Sequence, residues 1–396
     1  MLKYNICLLF TLSIRKRGNI LMVKQKRLIT NFMNLVKIDS VSKEEKEIAN
    51  HLLKKLEELG LEVFVDKAGE NAHSNSGNII AKYKGNLKNV PTIMFASHMD
   101  TVSPGNNIQP VFENGKIYSA GETILGGDDK AGIAIILEAL QIIQENNLSC
   151  GDIEIVFTIC EEIGLLGAKN LDVSQLNAEM AFILDSSGEP GEIITKAPFH
   201  NNIEFTFYGK AAHSGANPEK GINAIQIAGI ALSRMQLGRI DNETTANIGL
   251  ISGGSATNIV PDEVIIKGEA RSRDEKKLEY QTEQLKRASE NTAKEFNAKV
   301  CAKINRAYDG YDFSTESRII QTAIKAGKNI GLNTVLTASG GGSDVNVLNK
   351  KGLSSVDLGI GMKQVHTVNE YILSKDMIRS TEYILSLVNV AASGEI

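Results

Sequence analysis

Hydrophobic positions recur at helical spacing near the start of the chain. Lys24–Val36 and Lys43–Leu59 carry them on one face, as in Ile48, Leu52, Leu56 and Leu59, and so predict two amphipathic helices. Ser42 with Glu45 fits a capping box for the second helix, and Gly60 is a natural stop. Leu61–Val65, Asn78–Tyr83 and Thr92–Ala96 then read as strands. Gly132–Gln144 reads as an apolar helix, and Ile153–Cys160 and Met180–Leu184 again as strands. This alternation predicts an α/β fold, a mostly parallel sheet with helices on both faces.

The pattern changes near Pro198. Asn202–Tyr208 alternates like a half-exposed strand, Asn223–Leu237 is helical, Asn247–Ile251 and Val264–Ala270 are strands, and Lys276–Phe296 is a long charged helix. A β-α-β-β-α-β order predicts an inserted α+β domain with an antiparallel sheet at residues 198–311. It would divide the main domain into 22–197 and 312–396.

A chain of 396 residues is long enough for two domains. Hydrophobic residues at 42% and charged ones at 23% describe an ordinary globular protein. The net charge of −4 gives no electrostatic case for a nucleic-acid partner, and no apolar stretch reaches the roughly 18 residues of a membrane span. Cys7, Cys150, Cys160 and Cys301 form no CxxC pair, which points to a reducing compartment, the cytoplasm. Asn5–Ile14 is apolar, but Arg15, Lys16 and Arg17 follow it rather than precede it, and no small-residue cleavage site appears. Arg17-Gly18 can be encoded by a purine-rich ribosome-binding sequence just ahead of Met22. Residues 1–21 therefore read as an upstream over-read or a disordered segment.

Polar residues cluster at the predicted strand ends. "FASHMDTV" closes an apolar strand with His98 and Asp100, which lie two apart and so share a face and point one way. "LGGDDKAG" puts Asp128 and Asp129 in a turn before a helix, which Asp129 is expected to cap. "FTICEEIGLLG" sets Glu161 and Glu162 at the mouth of a buried strand, where unpaired charge is expensive. "AFILDSSG" adds Asp185, and "GMKQVHTVNE" adds His366. The carboxyl ends of strands in an open α/β sheet border its binding crevice. A lone histidine beside an acid is usually structural, whereas two histidines and several acids at one sheet edge suit a divalent metal. Zinc fits best, with cobalt or manganese as alternatives. Spacing alone leaves structural acids and a metal site equally open.

Taken together, HMDTV, GGDDKAG, EEIGLLGAK, the Asp185 strand end and the late His366 resemble, in order and separation, the peptidase T-like branch of the dinuclear zinc exopeptidases. That superfamily also holds aminoacylases and glutamate carboxypeptidases. The resemblance runs from about Leu28 to Val390. It implies two divalent metal ions, one held by His98 and Asp185, the other by Glu162 and His366, with Asp128 bridging both. It implies that Asp100 orients His98 and that Glu161 is the general base. It further implies hydrolysis of short peptides by a tripeptidase-like aminopeptidase, through a metal-bridged hydroxide. An amidase, deacylase or carboxypeptidase on the same scaffold is the alternative. A non-catalytic binding protein is a remote third, disfavoured by the intact Glu161 and the complete ligand set. In the inserted domain, which the resemblance makes a lid, His213 of "GKAAHSG" resembles a histidine that reaches the active site. Asn258 and Arg271 match positions that hold substrate carbonyl or carboxylate groups, and Gly340–Asp344 resembles a glycine-rich loop facing the substrate. A homodimer through the inserted domain follows from the resemblance only.

Each of these residues has a plainer reading. His213 could be a solvated turn residue, and Arg271 could pair with Glu269 or Asp274, with Arg273 as a rival for its role. "SGGGSD" lacks the Lys-Ser/Thr of a phosphate loop, so nucleotide binding is discounted. Cys160 could be a ligand, but buried thiols commonly serve as small hydrophobes. His51, His73 and His200 read as structural, and Lys276–Lys294 as a solvated helix face.

Overall fold

Leu28, Ile29, Phe32, Leu35 and Val36 form one buried stripe along helix α1 (Gln25–Val36). Ile48, Ala49, Leu52 and Leu56 form another along α2 (Lys46–Glu58), as the spacing predicts. The computed structural model describes residues 14–16, 19–21 and 23–394, so the expectation for residues 1–21 lies largely outside the described residues. The capping box expected at α2 is absent. Ser42 donates instead to Asp100 Oδ2 at 2.7 Å, and Glu45 accepts from Lys43 N, Ser74 Oγ and Cys160 N. Both side chains are drawn toward strand ends rather than to the helix terminus.

The chain divides into two compact units. The first runs to Thr195 and resumes at Phe313–Thr337 and from Ser343. The second comprises Lys196–Asp312 and Ala338–Gly342; this last stretch was expected with 312–396.

The sheet of the first unit is built from β1 (Glu62–Val65), β2 (Ile79–Tyr83), β3 (Ile93–His98), β4 (Ile153–Thr158), β5 (Met180–Ser186), β6 (Glu192–Ala197) and β11 (Ser355–Gly359). Their order is β6-β11-β5-β3-β4-β2-β1. The pairs β11/β5, β5/β3 and β3/β4 are parallel, while β6, β2 and β1 run antiparallel at the two edges. Strands β3 and β4 are buried along their whole length, which explains their unbroken apolar runs. Helix α3 (Gly127–Glu145) lies close to β3 and β5. A Cβ at Gly132 would fall 2.3 Å from Ser97 Oγ and 2.7 Å from Leu184 O, so only glycine lets the helix approach this closely. Helices α6 (Arg318–Asn329) and α7 (Ser374–Ser393) add Ile319, Ile320, Ile384 and Leu387 to the same core.

The second unit has the expected β-α-β-β-α-β order: β7 (Phe199–Tyr208), α4 (Ala224–Arg234), β8 (Thr244–Gly253), β9 (Glu263–Ser272), α5 (Glu275–Glu295) and β10 (Lys299–Tyr308). Its sheet is antiparallel in the order β8-β9-β7-β10. Phe205, Phe207, Val264 and Ile266 meet Ile227, Ala228, Leu278 and Leu285 of the two helices in a core of their own. The charged helix α5 buries only a narrow stripe and leaves its charges to solvent, which is the plainer reading of Lys276–Lys294.

Candidate metal centre

The parallel register sets the site. His98 at the end of β3 lies beside Thr158 at the end of β4, and β3 pairs with β5 through Ala96 and Ile183, just before Asp185. Three strand ends thus deliver His98, the Glu161–Glu162 turn and Asp185 to one edge. The buried His98 ring has its Nδ1 2.8 Å from the backbone oxygen of Asp100. A carbonyl only accepts, so Nδ1 carries the proton in the neutral ring and the Nε2 lone pair is left for the site. Nε2 lies 3.1 Å from Asp128 Oδ1 and 3.4 Å from Asp185 Oδ1.

Asp128 arrives from the start of α3. Gly126 takes a left-handed conformation with φ +69°, and Asp128 and Asp129 depart from helical geometry before the helix proper begins. Asp129 Oδ1 accepts from Gly132 N at 3.2 Å, the capping role expected of it. His366, itself at φ +62°, comes from the loop after β11. Its Nε2 lies 3.1 Å from Asp128 Oδ2 and 3.0 Å from Glu162 Oε1. One carboxylate therefore faces both histidines through different oxygens. Ligand atoms of His98, Asp128 and Glu162 lie within 4.8 Å of one another, as do those of His98, Glu161 and Asp185.

Asp100 departs from its expected contact. Its carboxylate stands 3.6 Å from His98 Nδ1, beyond a good hydrogen bond, because β3 ends at His98 and the alternation does not continue. The carboxylate accepts from Glu161 N at 2.9 Å, Glu162 N at 3.2 Å and Ser42 Oγ at 2.7 Å. Asp100 thus orients His98 through its backbone and holds the Glu161–Glu162 turn through its side chain.

Negative charge outweighs positive charge here. Burial, with the neighbouring Asp185 charge, drives the Glu161 carboxyl well above its usual range, and burial does the same to Asp185. Burial also lifts Asp344 to about 6 and Asp357 to about 7. Burial opposes ionisation of Asp128, yet hydrogen bonds from His366 and His98 hold it well below the carboxylate range. Hydrogen bonds to Asp128 and Glu162 raise His366 to about 10. So many buried carboxylates around two histidines are short of cations, and a mixed imidazole and carboxylate donor set fits divalent metal ions. Cys160 is not among the donors. Its thiol bonds Glu45 Oε1 at 3.2 Å, and burial beside that carboxylate pushes it up to about 12.

In the second unit, Ala212–His213 pairs with Ile259–Val260, and Asn258 O accepts from Ser214 N at 3.0 Å, so His213 and Asn258 are neighbours. His213 Nδ1 accepts from Gly215 N and Ala216 N, at 3.2 and 3.1 Å. Its neutral ring therefore carries its proton on Nε2. Arg271 is engaged by Glu269, through Nε and Nη2 at 2.9 Å each, the plainer pairing foreseen for it. His200 lies 3.2 Å from the same carboxylate and edge-on to Tyr308. Arg273 bonds Asn242 O instead.

A model of peptidase family M20/M25/M40 matches residues 94–390. The chain belongs to this family. The M20 peptidase is 44% identical to protein YqjE of Bacillus subtilis (strain 168), over 94% of this chain and 100% of the other. The solved aminopeptidase PepT of Bacillus cereus ATCC 10987 is 43% identical, with a TM-score of 0.87 over 94% of this chain and 100% of that one. A tripeptidase of Staphylococcus aureus subsp. aureus Mu50 is 39% identical, with a TM-score of 0.90 and the same coverage. The M20 peptidase is a hydrolase of peptide bonds.

Sequence reasoning passed over two buried acids of this peptidase. Asp357 accepts from Asp185 N at 3.0 Å, and Glu370 accepts from Asp128 N at 2.9 Å. A signal existed for both: Asp357 interrupts the apolar run "SSVDLGIGM", and Glu370 ends the motif that contains His366.

Proposed function

We propose that this M20 peptidase is a metal-dependent aminopeptidase for short peptides, tripeptides first. The observation that carries the reading is the placing of Asp128, one oxygen toward His98 and the other toward His366. Two divalent ions, zinc first with cobalt or manganese as alternatives, would be held by His98 and Asp185, by Glu162 and His366, and by Asp128 between them. Bound there, they would polarise the scissile carbonyl and make a water more acidic. Glu161 takes the proton of the attacking water and passes it to the leaving amine nitrogen as the C–O bond forms and the C–N bond breaks. Asp100 keeps that glutamate in place through its backbone N–H. His213 offers its Nε2–H to the developing oxyanion, because its Nδ1 is already occupied by two backbone donors. Asn258 and Arg271 hold substrate carbonyl and carboxylate groups. The two structures with PepT and tripeptidase names support the choice of substrate.

We assign the homodimer contact to the second unit. At its outer edge β8 pairs with Gly238 and Arg239 only through Ala246 and Thr245 among the described residues, while Leu250 and Ile251 beyond them are 67% and 54% exposed. The free thiols of Cys150, Cys160 and Cys301 support a reducing compartment, the cytoplasm. No described helix is long and apolar enough to cross a membrane.

A screen of di- and tripeptides with free or blocked termini, in zinc, cobalt or manganese, tests the reading. Cleavage that requires a free amino terminus is expected. Equal cleavage of N-acylated peptides would replace it with a deacylase or carboxypeptidase.

A further inference from the structure

We infer that Glu370 is a positioning residue that aligns Asp128 with His366 and so sets both halves of the metal centre. This rests on the reading of two metals bridged by Asp128. Glu370 is 1% exposed and uses both oxygens. Its Oε2 accepts from Leu125 N and Gly126 N at 2.8 Å each, and its Oε1 accepts from Asp128 N at 2.9 Å. These three donors belong to the turn before α3. Asp128 and Asp129 are not helical there, so no preceding carbonyl of a regular helix can serve these N–H groups. A buried N–H without an acceptor is costly, and a carboxylate is the one side-chain group that can take three such bonds through two oxygens. The turn is shaped around it. A Cβ on Gly127 would lie 3.0 Å from Glu370 Oε1, so glycine leaves the room this carboxylate fills.

The second half of the argument is where Glu370 sits in the chain. It closes the loop that carries His366, and its own backbone N–H donates to Thr367 O at 3.0 Å. One side chain thus ties the segment bearing the bridging carboxylate to the segment bearing a histidine that meets it. Asp357 does a narrower version of this task, since among the proposed ligands its Oδ1 serves Asp185, accepting from Asp185 N. Displacing Asp128 would disturb both metals, whereas displacing Asp185 would disturb one.

Zinc titration of the metal-free full chain, followed by calorimetry, separates these roles. Wild type is expected to bind two zinc ions. Glu370→Gln keeps the shape but turns an amide donor toward a backbone donor, and should weaken both binding steps by roughly 10- to 100-fold, as outer-shell changes do. Asp357→Asn should weaken one step and spare the other. Gly127→Ala crowds Oε1 while leaving Glu370 intact, and should reproduce the two-step loss even if Glu370→Gln fails to fold. A general loss of stability would lower the melting temperature without this one-step and two-step distinction. If Gly127→Ala and any folded Glu370→Gln bind both ions as wild type does, or lose only one, the inference is overturned and the two-metal reading stands. If wild type binds fewer than two ions, both fall.

Discussion

Glu269 closes the guanidinium fork of Arg271, with Nε and Nη2 each 2.9 Å from one of its oxygens. Hydrogen bonds to His200 and Arg271 pull this carboxyl down to about 2, so it stays ionised at any working pH. A substrate carboxylate bound there would share Arg271 with a resident anion. An unoccupied fork contributes roughly 1.5–3 kcal/mol, or about 10- to 150-fold in binding. Arg271→Ala should raise KM for free-acid peptides at the lower end of that range and leave amidated peptides nearly unchanged. Glu269→Gln should do the reverse and lower KM for free-acid peptides. Equal changes for both peptide series would remove Arg271 from carboxylate binding.

His213 receives two backbone N–H groups on Nδ1, which commits Nε2 to donation. If that donor meets the oxyanion, His213→Ala should lower kcat about 10²–10³-fold, as loss of one such donor does, with metal content unchanged. A raised KM at constant kcat would make His213 a simple binding residue.

Part of the candidate site was legible because a parallel sheet gathers its carboxyl ends. His98, Glu162 and Asp185 follow apolar strands, and the register of β3, β4 and β5 does the rest. Asp128 and His366 were weaker candidates until the resemblance was drawn, since neither directly follows a strand of the sheet. The contact of Asp100 was missed because it depends on the residue at which β3 stops. Glu370 and Asp357 were missed for a different reason. Their partners are backbone N–H groups far along the chain, and no side-chain pattern records such a bond. Arg271 shows the converse: Glu269, one of the two partners its sequence offered beside Asp274, lies on the same face of β9.

Protons take the place of cations in the metal-free site. Asp344, Asp357 and Glu370 are raised from 3.8, 3.8 and 4.5 to about 6, 7 and 7, chiefly by burial. Hydrogen bonds to Asp128 and Glu162 raise His366 from 6.5 to about 10. Each group binds its proton more tightly folded than unfolded, so its contribution is complete below the unfolded value and is lost as pH rises through the folded one. Metal-free protein should lose stability between about pH 4 and 7 from the acids, and further up to about 10 from His366. Asp128, held low, acts in the opposite sense and matters only below its unfolded value of 3.8. Zinc should displace these protons, so the melting temperature it adds should grow from pH 5 to 7.5. Titrations in buffers of different ionisation heat should register proton release, and proton uptake at pH 6 would contradict this account.

Glu161 and Glu162 are adjacent, yet they turn to different partners. Glu162 Oε1 meets His366 at 3.0 Å, while Glu161 groups with His98 and Asp185. Glu161→Gln keeps shape and volume but removes the base. It should retain near-wild-type metal while losing at least the ~10²–10⁴-fold typical of general acid–base catalysis. Glu162→Gln should instead weaken one metal, because a neutral amide is a poorer ligand than a carboxylate. Part of its lost activity should return at high zinc concentration, whereas no zinc concentration should rescue Glu161→Gln. Elemental analysis read beside kcat separates the two. The nearness of Glu161 to His98 and Asp185 makes the test a sharp one, since a ligand role is within its reach. Loss of a metal from Glu161→Gln, with both retained in Glu162→Gln, would exchange the two assignments.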